Sequence, residues 1–108
     1  DFKTNNQYKL FGTSIDYLIE NKILEVPNYI KIDVDGIEHL ILRGGINLLK
    51  NSELKSISIE LNENFKDQYN EVKKIMQNSN FSLKHKKHSE ELEKSIKFSK
   101  LYNYIFER

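Results

Sequence analysis

Residues 29–38 of this chain read YIKIDVDGIE and join a short apolar run to three acids around a glycine. The run is rich in β-prone residues and lies between Pro27 and Gly36, which predicts a buried strand over residues 29–34. Three carboxylates lie at or just beyond the end of this strand: Asp33, Asp35 and Glu38. Open α/β sheets bind their ligands at the carboxyl ends of their strands, so this segment is a candidate functional site.

A second strand is predicted over residues 55–61, where KSISIEL alternates polar and apolar side chains. Its end also carries polar groups, Glu60 and Asn62. The apolar spacing across residues 37–50 predicts a helix between the two strands, with a break or a close packing contact at the glycine pair 44–45. Such a crossover makes the two strands parallel neighbours, so we expect their acidic ends to lie side by side.

The remaining pattern alternates helices with strands and then closes with a hairpin. The further predicted segments are a loop or short strand over 1–12, helices over 14–24 and 66–79, a strand beginning at Phe81, a charged hairpin connection or exposed helical turn over 84–100, and a strand over 101–106. No repeat or linker divides the 108 residues, so we expect one domain. The order predicts an α/β fold with parallel strands, crossover helices and a C-terminal antiparallel hairpin.

Composition excludes several classes of function. The chain carries 17 basic and 16 acidic residues, a balance that gives no general attraction to nucleic acid or to an anionic membrane. Cysteine is absent, which excludes disulfides and thiolate metal sites and is compatible with a cytoplasmic location. No apolar run approaches the ~20 residues of a membrane span. We therefore expect a cytoplasmic protein without nucleic-acid or membrane partners.

The residue types alone leave the role of the acids open. Asp33 and Asp35 alternate along the predicted strand, so one can face a cleft while the other accepts hydrogen bonds within the turn. Glu38 falls in the first turn of the next helix, where the helix dipole favours a carboxylate that can also contact substrate. A purely structural turn explains the same residues. Four acids could also bind Mg²⁺ or Ca²⁺, but their spacing matches no dedicated cation loop, and we predict no metal.

The segment IKIDVDGIEHLILRGG, followed after a helix by SISIELN, resembles the FkbM family of S-adenosylmethionine-dependent O-methyltransferases. The positions that match the family pattern are Lys31, Asp33, Gly36, Glu38, Leu42, Arg43, Gly44 and Glu60. The resemblance extends over residues 13–108 and implies the C-terminal half of a Rossmann-like methyltransferase sheet, its fourth to seventh strands. It implies S-adenosylmethionine as cofactor and, as acceptor, a hydroxyl group on a sugar, a glycan or a secondary metabolite.

The same resemblance implies the site residues. Catalytic roles fall to four acids: Asp33, Asp35, Glu38 and Glu60. Substrate contacts fall to Lys31, Glu38 and Asn62, and Asp33 is also a candidate cofactor contact. Asp35 stands where the family usually has Glu, which retracts that carboxylate by one methylene. The family's Gly-rich cofactor loop is not found in this sequence, so we expect a partial domain that is inactive without a cofactor-binding half upstream.

Two other classes of function remain as alternatives. The DVDG motif at 33–36 is similar to the Mg²⁺-dependent nucleophile loop of haloacid dehalogenase-type phosphatases, although Ile37 stands where Thr normally follows. A non-catalytic binding or assembly module would use the basic KHKKH segment, residues 84–88, or self-associate through an exposed sheet edge. The two histidines of that segment lie three positions apart and would point to opposite faces of a strand, so shared metal ligation is not expected.

Overall fold

The computed structural model describes residues 12–34, 36–88 and 100–108. Its helices and strands follow the chain in this order: α1 (Ile15–Glu20), β1 (Tyr29–Ile32), α2 (Glu38–Arg43), α3 (Ile46–Leu49), β2 (Ser56–Asn62), α4 (Lys66–Asn78), β3 (Ser82–Lys87) and β4 (Leu101–Glu107). The loop or short strand expected over 1–12 lies outside the described residues except for Gly12, and so do Asp35 and the 89–99 part of the charged segment.

Among the described residues, the four strands form one sheet in the order β1-β2-β4-β3. β1 and β2 are parallel, with Ile30 opposite Ile57 and Ile32 opposite Ile59. β4 is antiparallel to both of its neighbours, and with β3 it forms the C-terminal hairpin. The predicted α/β class, parallel pair and closing hairpin are confirmed. The local pattern did not predict that β4 lies between β2 and β3, because that order depends on long-range pairing.

The hydrophobic core lies on one face of this sheet. The core residues from β2, β4 and α4 belong to one cluster: Ile57, Ile59, Leu61, Tyr104, Phe106, Val72 and Met76. Tyr104 is opposite Ile59 in the antiparallel register, and Phe106 is opposite Ile57, so these side chains share a face. Burying each such side chain contributes about 1.5–3 kcal/mol, which fixes α4 against the strands whose ends carry the candidate site.

The glycine pair after α2 allows helix α1 to pack against the joint between α2 and α3. A Cβ atom on Gly45 would lie 2.7 Å from Cγ2 of Ile15, too close for any larger residue without movement. The carboxylate of Asp16 in α1 accepts hydrogen bonds from the N–H groups of Asn47 and Leu48 at 2.9 and 3.0 Å, which caps the start of α3. The expected break and close contact are both confirmed, and the expected long helix is two short helices.

Helix α1 ends earlier than the predicted helix over 14–24. Lys22 adopts a left-handed φ of 59°, a conformation that cannot continue a right-handed helix. The N–H groups of Ile23 and Leu24 then turn back to the carbonyl oxygen of Leu18 at 2.9 and 3.1 Å. The predicted end of this helix was wrong because apolar spacing continued past the residue at which the backbone reversed.

Strand β3 includes residues 84–87, which the sequence predicts to begin a hairpin connection or an exposed helical turn. That prediction is wrong, because the segment pairs with β4. A register shift between Leu83 and His85 marks an irregularity in the pairing, and all six residues of β3 are exposed. The ring of His88, just beyond the strand, stacks on Tyr102 with 4.0 Å between the ring centroids.

Candidate functional site

The two parallel strands bring their acidic ends to one edge of the sheet. The last paired residues of β1 and β2 are Ile32 and Ile59. Asp33 and Glu60 follow them directly, so the two acids leave the paired segment at the same level. The register therefore confirms the juxtaposition that the crossover predicts, while the chemical role of each acid stays a prediction.

Asp33 is exposed just beyond the end of β1. The strand ends at Ile32 rather than at residue 34, so strand alternation does not orient Asp33 relative to Asp35, which lies outside the described residues. Asp33 lines a cavity of about 550 Å³ beside β1. The other residues that line this cavity are largely apolar: Ile15, Ile30, Lys31, Ile32, Val34 and Ile41.

Gly36 and Glu38 shape the turn that follows. Gly36 has a φ of +101°, a conformation that favours glycine. Its N–H group donates to both carboxylate oxygens of Glu38, at 2.9 and 3.2 Å. Glu38 is only 5% exposed, so its carboxylate is buried beneath the turn and stabilises it through these hydrogen bonds. A Cβ atom on Gly36 would lie 3.6 Å from the ring of Phe65, which shows that the loops after β1 and β2 pack together.

The other predicted site residues lie on the face of the sheet opposite the core. Lys31 is exposed on β1 and is opposite Ser58 of β2. Glu60 and Asn62, both half-buried, share that face with Ser58 because side chains alternate along β2. The side-chain oxygen of Asn62 accepts a hydrogen bond from the N–H of Asn64 at 2.9 Å, and this Asx turn ends the strand.

A further polar cluster next to Asn62 was missed by the sequence analysis. Oε2 of Glu63 accepts a hydrogen bond from Nζ of Lys86 on β3 at 2.6 Å and another from the Tyr104 hydroxyl on β4. The Tyr104 hydroxyl also lies 3.3 Å from the hydroxyl of Tyr69 on α4. The carboxylate of Glu63 thus ties the end of β2 to both strands of the hairpin, and the hydroxyl of Tyr104 extends the cluster to Tyr69 on α4. The feature of the sequence that could have indicated this cluster is Tyr104, since a tyrosine on the apolar face of a strand needs a partner for its hydroxyl.

These contacts shift the titration of the cluster. Burial raises the pKa of Glu63, but the hydrogen bonds from Lys86 and Tyr104 outweigh burial, and the pKa lies below its ordinary value. Burial, and then the hydrogen bond to Glu63, raises the pKa of Tyr104 far above its usual range. The hydrogen bond to Glu63 raises the pKa of Lys86 as well. Near neutral pH the cluster is therefore an ion pair with a neutral phenol, and Glu63 is a poor proton acceptor.

A second cavity, of about 560 Å³, lies at the carboxyl end of β2. Its lining is mostly amide, ammonium and carboxylate groups: Glu63, Asn64, Lys66, Tyr69, Asn70 and Lys100. Hydrogen-bond donors and acceptors in this density suit a ligand rich in hydroxyl groups. The edge of the sheet thus carries an apolar cavity with one acid beside β1 and a polar cavity beyond β2.

Neither a metal centre nor a membrane span emerges from the residues described. Across 12–34, 36–88 and 100–108, no group of three or more His, Asp or Glu side chains is arranged to hold a metal ion. In the same part of the chain, no helix has the length and apolar character needed to cross a bilayer.

Comparison with known proteins gives one family. The Methyltransferase FkbM domain matches residues 4–83, a segment that contains β1, β2, α4 and the turn between Asp33 and Glu38. No curated protein and no solved structure matches the chain. The match agrees with the family that the motifs around Asp33 and Glu60 predict.

Proposed function

Because this chain belongs to the FkbM methyltransferase family, we propose that it forms the acceptor-side half of an S-adenosylmethionine-dependent O-methyltransferase. The proposed acceptor is a hydroxyl group on a sugar, a glycan or a secondary metabolite. The observation that carries the proposal is the family match over residues 4–83, which includes both acid-bearing strand ends. Their parallel register supports it, since it sets Asp33 and Glu60 at one edge.

Methyl transfer to a hydroxyl group requires the acceptor oxygen to lie about 3 Å from the methyl carbon and to lose its proton. When bound, S-adenosylmethionine supplies the electrophilic methyl group on its sulfonium. The chain's own task is to orient the acceptor and take its proton. We assign the removal of the hydroxyl proton to Asp33, whose exposed carboxylate borders the cavity beside β1. We assign the positioning of the acceptor to Glu60 at the end of β2. Asp35 remains a second candidate for either role.

The remaining predicted residues receive supporting roles. Glu38 is a positioning residue, because its buried carboxylate accepts the Gly36 N–H and so fixes the turn next to Asp33. Asn62 shapes the turn after β2 through its bond from Asn64. Lys31, exposed on the same face as Glu60, suits an anionic group on the substrate.

The described residues fit one side of the cofactor. The cavity beside β1 combines apolar surface, suited to a flat ring, with the carboxylate of Asp33 for a polar or cationic group. Four glycines occur in the whole sequence, at 12, 36, 44 and 45, and they form no Gly-rich loop between a strand and a helix. We therefore expect the main contacts to the adenosine part of S-adenosylmethionine to come from residues upstream of this chain.

The polar cavity beyond β2 is proposed to hold the outer hydroxyl groups of the acceptor, since neither Asp33 nor Glu60, to which we assign the reacting hydroxyl, lines it. Its amide and ammonium groups, which include Asn64, Asn70 and Lys66, can donate to several hydroxyl oxygens at once. That donor density favours a sugar or glycan over an apolar metabolite. No observation favours the phosphatase alternative for residues 33–36.

The proposal is tested by titrating S-adenosylmethionine into this chain and into a chain extended upstream of Asp1, followed by turnover of the extended protein. We expect binding by the extended protein alone. Asp33→Asn and Glu60→Gln should each lower turnover by about 100-fold without unfolding the protein, as expected for a proton acceptor and its neighbour. The matched controls Asp67→Asn and Glu53→Gln, exposed acids that line neither of the two cavities, should leave turnover unchanged. Unchanged turnover in both site variants would contradict the assignment.

A further inference from the structure

The ring of Phe65 lies between the two loops that carry the candidate site. Phe65 follows β2 and precedes α4, and its side chain reaches the turn after β1, where a Cβ atom on Gly36 would lie 3.6 Å from its Cε2 atom. Gly36 is in the turn that begins at Asp33. On the other side, the sequence neighbours Asn64 and Lys66 both line the polar cavity beyond β2. The ring of Phe65 therefore separates the acid at the end of β1 from that cavity.

The backbone fixes the position of this ring. The N–H group of Phe65 donates to the carbonyl oxygen of Asn62 at 3.1 Å, and its own carbonyl oxygen accepts the N–H of Tyr69 at 2.9 Å. One edge of the ring packs on the turn at Gly36, yet the residue remains 48% exposed. Phe65 thus presents apolar aromatic surface to solvent at the edge of the sheet where α/β folds bind their ligands.

The function proposed above makes two demands on this edge. The reacting hydroxyl group must reach Asp33, while the outer hydroxyl groups of the acceptor bind amides such as Asn64 and Asn70. An acceptor that meets both demands must cross the ring of Phe65. A pyranose ring suits this position, because its axial C–H bonds form an apolar face that packs on an aromatic ring. Its equatorial hydroxyl groups then point outward to polar partners on either side.

We propose that Phe65 determines acceptor specificity by packing against the apolar face of a pyranose ring, one hydroxyl group of which reaches Asp33. This inference rests on the function proposed above and names its acceptor as a pyranoside. The polar groups beyond β2 suit any compound rich in hydroxyl groups, whereas a flat aromatic surface selects a cyclic one. Phe65 is a specificity-determining residue and takes no part in proton transfer.

The test titrates methyl β-D-glucopyranoside, whose ring substituents are all equatorial, into the upstream-extended protein without S-adenosylmethionine. Backbone amide signals recorded by NMR measure the affinity. We expect saturable binding in the millimolar range that shifts the signals of Gly36 and Asn64. Phe65→Leu keeps an apolar contact with the turn but loses the flat surface, and it should weaken binding about fivefold. Phe65→Tyr keeps the flat surface and should bind within about twofold of the parent protein.

Two controls separate stacking on Phe65 from nonspecific binding. Tyr29→Leu removes another exposed aromatic ring, at 53%, from the opposite end of β1, and it should leave the affinity unchanged. Open-chain sorbitol is equally rich in hydroxyl groups but has no ring, and it should bind about tenfold more weakly than the pyranoside. Circular dichroism verifies that each variant keeps its fold.

Four results would each overturn the proposal: no saturable binding, unchanged affinity in Phe65→Leu, an equal loss in Tyr29→Leu, or equal affinity for sorbitol and the pyranoside. If the extended protein binds S-adenosylmethionine and any of these results is found, the methyltransferase function stands and the role of Phe65 is refuted. If sugar binding depends on Phe65 but S-adenosylmethionine does not bind, the sugar site is supported and the methyltransferase function is contradicted.

Discussion

The two outer strands of the sheet, β1 and β3, differ in almost every property that matters for an edge. β1 turns Ile30 and Ile32 to the core, and an apolar cavity lies beside it. β3 is exposed at all six positions, and four of them are Lys or His. β3 also carries a register shift between Leu83 and His85.

This difference indicates that β3, and not β1, carries the features that protect a free edge from pairing with another strand. Lysines and bulges are the features by which natural sheets prevent a free edge from pairing with another chain. β3 has three lysines and an irregular register, whereas β1 has one lysine, Lys31, between two isoleucines. The β1 side also carries Asp33 and the turn held by Glu38, while the β3 side carries the ion pair between Glu63 and Lys86. The two sides can be perturbed separately.

The largest effect is expected on the β1 side, from Glu38→Ala. This change removes a buried carboxylate and leaves the N–H of Gly36 without its acceptor, so we expect the free energy of unfolding to fall by about 2 kcal/mol. Urea denaturation measures the loss. Turnover of the upstream-extended protein should fall with it, because Asp33 is no longer held by an ordered turn.

Glu38→Gln is the control, since its side-chain oxygen can still accept the hydrogen bond. It should lose clearly less stability than Glu38→Ala. Equal losses in the two variants would mean that the charge of Glu38, and not its bond to Gly36, stabilises the β1 side.

A smaller effect is expected on the β3 side, from Glu63→Gln. The folded-state pKa of Glu63 is lowered from 4.5, so the unfolded chain binds more protons as the pH falls below that value. The stability that Glu63 contributes is therefore present above pH 4.5 and is lost as the pH falls through the folded-state pKa. Near neutral pH we expect Glu63→Gln to cost about 1 kcal/mol, and the difference from the parent protein should shrink in acid.

Denaturation curves recorded across the acid range measure how the free energy of unfolding of each protein changes with pH. Glu71→Gln is the control, because it breaks the ion pair with Arg43, which is more exposed than the pair between Glu63 and Lys86. It should change the pH dependence of the free energy of unfolding less than Glu63→Gln does. A constant difference between Glu63→Gln and the parent protein at every pH would mean that the ion pair with Lys86 contributes nothing that titrates.

The sequence predicts those parts of the fold in which the local pattern and the structure obey the same rule. The alternation at Ile57, Ile59 and Leu61 predicted β2 and its buried face, and the glycine pair predicted the break between α2 and α3. The crossover rule then predicted that Asp33 and Glu60 would lie at the same edge of the sheet. Each of these inferences depends on neighbours in sequence or on one topological rule.

Local sequence pattern does not predict the features that depend on distant residues. β3 was missed in part because charged residues give no apolar alternation, and only pairing with β4 makes 84–87 a strand. Glu63 was missed because its partners, Lys86 and Tyr104, are brought to it by the antiparallel order of β2, β4 and β3. Neither partner could be inferred from the residues around Glu63.

The smallest expected effect concerns self-association through an exposed sheet edge, an alternative that the sequence leaves open. If β1 is the edge that pairs, Tyr29→Lys should weaken association about fivefold, because each copy would then bring a further positive charge, beside Lys31, to the contact. Tyr29 is 53% exposed, so the change should not disturb the core. Leu83→Lys is the matched control on β3: it also replaces an exposed apolar residue, at 49%, but on an edge that lysines already protect. Sedimentation velocity at several concentrations measures both. A loss with Leu83→Lys and none with Tyr29→Lys would reverse the comparison, because the basic strand would then be the one that pairs.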